Sequence, residues 1–321
     1  MPSPLRLSDK ALLTVALAVA VALFATLGHV AMAPRDPLGA VSLMTGAHPV
    51  LMFLETAALA AVAASIATLL AGSRLVDVGA FAAAVGMAVA AVRGQTAAYL
   101  LTATSGDAGQ AGNPAMAMLV ESLLWSVVLL MAMVVSAWVT AFCTRGTSRR
   151  DDGVVLAGMS ATELPRVNRL LGTAPTDVDI KAMVKTALVV AVVAVLVFSV
   201  LVSGSMPRTV RHGQSCFAVF VAFYCGVRVA KAIGSGARTP LSFLAAVPLA
   251  ACLAYGWAMV QPADTGRYAH LDHIPASVFL RALPLTFVSV GVVGVLVAYW
   301  TTVDAPPRSR RRAGSPARRA R

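Results

Sequence analysis

The stretch VKTALVVAVVAVLVFSVLVSGSM, residues 184–206, carries one charge, Lys185, and after it only apolar and small uncharged residues. A helix of that length rises about 35 Å, enough to cross the roughly 30 Å of hydrocarbon in a bilayer. Seven further runs have the same character: 11–33, 50–72, 76–102, 115–143, 215–237, 240–261 and 278–300. Each is expected to be helical, because lipid offers no water to backbone N–H and C=O groups and the alternation of a β-barrel strand is missing. The expected fold class is therefore all-α: a polytopic transmembrane bundle of eight helices.

Composition agrees. The chain is 58% hydrophobic and 12% charged, with a mean hydropathy of +0.79. A water-soluble domain is about 25% charged, so that class is excluded. Twenty of the 26 Lys and Arg residues fall at the N-terminus, near residue 74, around 144–184, around 228–240 and in the C-terminal tail. The six on the other side are Arg35, Arg93, Arg208, Arg211, Arg267 and Arg281. The positive-inside rule then predicts a bacterial-type inner membrane protein with both termini cytoplasmic. Tyr255 and Trp257 at one helix end, and Tyr299 and Trp300 at another, are read as headgroup-level anchors. Ala31-Met32-Ala33 resembles a signal-peptidase site, but the run before it exceeds a typical signal core, so residues 11–33 are read as an uncleaved first helix.

The eight runs divide into two halves of four, 1–143 and 184–303, whose helix starts are offset by 163–173 residues. With four spans each, the halves point the same way, as a parallel repeat about an axis along the membrane normal. Residues 144–183 form a cytoplasmic linker. Ser160 to Glu163 and Thr176 to Asp179 read there as capping boxes of short amphipathic helices. Residues 304–321 carry seven Arg among Pro, Ser, Gly and Ala. Such a tail cannot bury a core and is expected to be disordered and drawn to anionic lipid. Without stacking aromatics or a folded basic domain, nucleic acid is not an expected partner. Cys143, Cys216, Cys225 and Cys252 show no paired spacing and are read as packing residues.

Individual spans also carry information. Gly79, Ala82, Ala83, Gly86, Ala90 and Ala91 give the third run small faces suited to a central position. The Val- and Leu-rich fifth is expected to face lipid. Pro248 and Pro284 interrupt the seventh and eighth, each removing a backbone hydrogen bond.

Ionisable groups inside the membrane are the best functional pointers, because they are costly there. Glu55, Arg93, Glu121 and Arg281, with Gln95 nearby, are placed at one depth in the outer third of the bilayer, as a polar pocket or an ion-pair cluster. Trp125 follows Glu121 by four residues and shares its helical face. All five histidines fall on the outer side. Among them His270, Asp272 and His273 form the candidate metal-ligand set. No cofactor is expected. The nucleophile-elbow, phosphate-loop and dinucleotide-binding patterns are missing, so the reading leans away from an enzyme.

The best-supported function is a non-enzymatic structural or accessory component of a membrane assembly, with the lipid bilayer and other membrane proteins as partners. One alternative is a small-solute or ion transporter using the Glu/Arg cluster. The other is a metal- or redox-handling protein using the outer histidines.

Overall fold

The computed structural model describes residues 7–34, 40–44, 46–71, 77–93, 113–147, 180–203, 212–234, 240–261 and 277–303. These are almost entirely helical and contain no β-strand. The helices are α1 (Leu7–Ala31), α2 (Pro49–Ala71), α3 (Val78–Arg93), α4 (Pro114–Thr147), α5 (Ile180–Ser203), α6 (His212–Ala232), α7 (Pro240–Leu244), α8 (Ala246–Val260) and α9 (Pro284–Val303). A single 3-10 turn, Val278–Arg281, precedes α9.

Proline sets several of these boundaries. Pro49, Pro114, Pro240 and Pro284 each occupy the first helical position. There the missing N–H would have had no partner and the fixed φ suits the helix. Asn113 completes the start of α4: its side-chain oxygen accepts the Ala115 N–H at 3.0 Å. Pro248 has no N–H to offer the Leu244 carbonyl, and the seventh span is broken at Ala245, between α7 and α8. The eighth run differs more from expectation. It is not one helix with Pro284 inside it. The 3-10 turn ends at Arg281, Ala282 is extended (φ −107°, ψ 133°), and the long helix begins at Pro284. Pro284 disfavours the α region at Leu283, directly before it, so the turn and the long helix do not join into one helix. Arg281 consequently lies ahead of α9 rather than within it.

Among the described residues, seven spans are long and apolar enough to cross a membrane: Ala11–Ala31, Pro49–Ala71, Pro114–Cys143, Ile180–Ser203, Gly213–Ala232, Pro240–Val260 and Pro284–Thr301. In α3 the apolar helix is shorter, Val78–Val92, and residues 94–102 of the third run lie outside the described residues. The bundle turns large apolar side chains outward in helical stripes, such as Val184, Leu188, Val192, Leu196 and Val200 on α5. A water-soluble protein does not expose apolar surface on that scale. The chain is an integral membrane protein. Trp138 and Phe142, stacked at 5.8 Å on α4, and Trp257 on α8 are also exposed. Tyr255, expected as a surface anchor, is instead fully buried.

Contacts fix which helix ends lie together. The starts of α2, α4, α6 and α9 meet the ends of α5 and α8, hereafter the Pro49 end. The end of α2, the start of α3 and the late part of α4 meet one another. There too, Phe81 of α3 packs on Trp300 of α9 at 4.8 Å. This second group forms the Ala71 end. Within the first half α1 packs on α2 and α3, and α4 on α2 and α3. Within the second, α5 packs on α6 and α8, and α9 on α6 and α8. The halves join where α3 and α4 meet α8 and α9. Both α3 and α9 are buried on nearly every face. All four cysteines are unbonded.

Helix association in lipid depends on close packing, since lipid tails are as apolar as the side chains. Glycine permits it here. A Cβ on Gly226 of α6 would stand 2.7 Å from the Val190 carbonyl oxygen of α5. One on Gly294 of α9 would stand 2.8 Å from that of Phe220 on α6. Neither obstacle is a side chain that can swing away. Gly226→Ala and Gly294→Ala are each expected to lower stability by about 1–3 kcal/mol, because the backbones must separate. Nothing lies within 4 Å of a Cβ on Gly256, so Gly256→Ala should be neutral or stabilising by up to about 1 kcal/mol. Thermal unfolding in nanodiscs reads all three.

Candidate functional site

Among the described residues, the densest polar arrangement sits at the Pro49 end, around Glu121. Glu121 lies in the second turn of α4 and is 2% exposed. Its carboxylate accepts three hydrogen bonds. Ser42 Oγ donates to Oε2 at 2.5 Å, the Leu43 backbone N–H to Oε1 at 3.0 Å, and Trp125 Nε1 to Oε1 at 2.9 Å. Trp125 comes from the same helix one turn on, as the four-residue spacing requires. Ser42 and Leu43 come from the connection between α1 and α2. Its residues Ala40, Val41, Ser42 and Leu43 are all buried. Ser42 Oγ in turn accepts the Met44 N–H at 3.2 Å, which tightens the loop. Pro34 and Gly46 form an isolated antiparallel bridge at its base.

Each of the three partners brings a hydrogen to a Glu121 oxygen. The group therefore clasps the α1–α2 loop onto α4. Behind it Trp125 is fully buried, with its ring 6.4 Å from that of Phe53 on α2.

The second half is tied at the same end. Tyr255 of α8 sits beside Ser122 and Glu121 and donates to the Ala282 carbonyl at 3.0 Å. That bond satisfies an extended backbone group ahead of α9. Arg281 Nη1 donates to the Val202 carbonyl at 3.1 Å, at the last turn of α5. A cation there meets the negative end of the helix dipole. Ser215 Oγ on α6 donates to the Arg281 carbonyl at 3.2 Å.

At the Ala71 end, Lys231 Nζ donates to the Tyr299 carbonyl at 3.2 Å and lies 4.4 Å from the centre of the Tyr299 ring. This is cation–π distance. Thr68 of α2 and Ser136 of α4 share a hydrogen bond at 2.7 Å, directly against Gly79 of α3. Asp77, just before α3, is 8% exposed, and its Oδ1 has no hydrogen-bond partner among the described residues.

The sequence-derived candidates fall in different places. Glu121 is buried in the clasp, and Arg281 is tied to the end of α5. Glu55 stands on the exposed face of α2. Arg93 is the last residue of α3, and its side chain lies outside what is described, as does Gln95. His270, Asp272 and His273 also lie outside the described residues. Ser42 and Tyr255 were not anticipated as partners. The run Ala40-Val41-Ser42-Leu43-Met44 is unusually apolar for a connection, which is the available signal that it packs inward.

Ser42→Ala should cost about 1–3 kcal/mol of stability, the range for leaving a buried polar group short of a partner. In a background lacking the native cysteines, Leu43→Cys should resist a membrane-impermeant maleimide. Adding Glu121→Ala should make it reactive, because the loop loses its anchor. Compared with family models, curated proteins and solved structures, the chain matches none of them.

Proposed function

We propose that this integral membrane protein is a non-enzymatic structural or accessory component of a membrane assembly. The observation carrying this reading is the use made of the buried charge. Three donors from the α1–α2 loop and its own helix engage Glu121, two at Oε1 and one at Oε2. Such a carboxylate is committed to holding the fold, with little left over for a substrate. The Arg281 bond to the end of α5 serves the same purpose.

The reading includes eight spans in two parallel halves, with α3 as the short third span. Helix packing supports it. Exchanging α1, α2, α3 and α4 for α5, α6, α8 and α9 turns the α1–α2 contact into α5–α6, α1–α3 into α5–α8, and α2–α4 into α6–α9. Across the junction it turns α3–α9 into α8–α4 and leaves α4–α9 unchanged. This is the pattern of a two-fold axis passing between α4 and α9. The α2–α3 contact has no counterpart of the same extent. The positive-inside distribution puts the Ala71 end and both termini in the cytoplasm of a bacterial-type cell, with the 304–321 tail beside anionic lipid.

Two measurements test this function. Native mass spectrometry from the source membrane should find the chain in a complex larger than its own 33.0 kDa. Glu121→Gln should lower the thermal midpoint in nanodiscs. A chain that runs alone, with ion or solute flux in proteoliposomes abolished by Glu121→Gln at unchanged stability, would establish the transporter reading instead.

A further inference from the structure

Glu55 is a carboxylate that the fold leaves on an exposed helix face. It is the seventh residue of α2, about 9 Å along the helix from Pro49. Its neighbours on the exposed side are Leu51, 51% exposed, and Leu54, 57% exposed, so the carboxylate is set in an apolar surface. Among the described residues nothing forms a hydrogen bond or ion pair with it. The opposite side of α2, with Met52, Thr56, Ala60, Ala63 and Ala67, is buried against α1, α3 and α4.

The exposed side has its own order. His48, Leu51, Glu55, Ala58, Val62, Ser65 and Leu69 follow a three–four spacing without interruption. All are exposed except Ser65, which is half-buried. That spacing keeps one helix against another along a left-handed seam. Leu, Val and Ile suit a purely lipid-facing stripe, as on α5. This seam instead carries Ala58 and Ser65, small enough for close backbone approach, and a carboxylate that lipid tails cannot solvate.

We propose that this face of α2 docks a transmembrane helix of a partner protein that carries a lysine or arginine at the depth of Glu55. The inference rests on the assembly reading above and names the chemistry of the partner. A second copy of this chain is disfavoured: a symmetric contact through α2 would set Glu55 against Glu55, like charges in a low-dielectric layer. A cationic helix neutralises the carboxylate and fills the seam in one step.

The test uses the full-length protein in nanodiscs, donor-labelled, with acceptor-labelled apolar transmembrane peptides. One peptide carries a single Arg about six residues from its end, and its control carries Leu there. The Arg peptide should associate at least tenfold more tightly than the Leu peptide. Glu55→Gln should remove that difference without changing the thermal midpoint, because the side chain supports nothing inside the fold. Glu55→Lys should reverse the preference, towards a peptide carrying Glu. Equal association of Arg and Leu peptides, or of the parent and Glu55→Gln, overturns the proposal, as does a dimer of the chain that depends on Glu55. Native mass spectrometry in parallel separates the two readings. A complex that keeps its mass in Glu55→Gln overturns this docking face and leaves the assembly reading in place. Finding no complex in the parent overturns both.

Discussion

The clasp on Glu121 is the contact on which the Pro49 end of the molecule depends. A carboxyl group buried in a membrane bundle needs hydrogen-bond partners, and here a loop serine, a loop amide and an indole supply three. That requirement pulls the α1–α2 connection down among the helices, where Val41 and Leu43 are buried beside it. It also sets Glu121 and Ser122 of α4 beside Tyr255 of α8. Tyr255 then closes the extended step before Pro284, and α9 starts from there. Glu121 and Ser122 thus stand where the two halves meet, beside the tyrosine that holds the start of α9.

The Ala71 end is held differently. It relies on small residues and hydroxyls: Gly79 against the Thr68–Ser136 pair, and Lys231 folded onto Tyr299. Lysine reaches the edge of the membrane on its aliphatic stem and finds a carbonyl and a ring face there. The Glu121 clasp holds one end, and close backbone approach holds the middle. Glu55, on the exposed face of α2, takes no part in these contacts.

Much of the architecture was legible in the sequence because the hydrocarbon thickness dictates span length directly. The small residues of α3 announced close packing, and α3 is buried almost all round. The burial of α9 was not legible. Its Val-rich composition matches a lipid-facing helix, and only its neighbours distinguish the two. Hydropathy also carried the eighth run back to residue 278, since it does not register that Pro284 favours a helix start. Arg281 therefore moved from inside a helix to the turn before it. Within the clasp, the Glu121–Trp125 pair could be read from helical spacing. Ser42, 79 residues away, could not, because nothing local reports which loop folds onto which helix.

The most direct measurement of the central claim is amide hydrogen exchange at Leu43 in nanodiscs. A Leu43 N–H bonded to a buried carboxylate should exchange slowly, on the timescale of the neighbouring helices, and should become fast in Glu121→Gln while α2 and α4 stay protected. A Leu43 amide that exchanges in the parent protein as fast as an open loop would contradict the account.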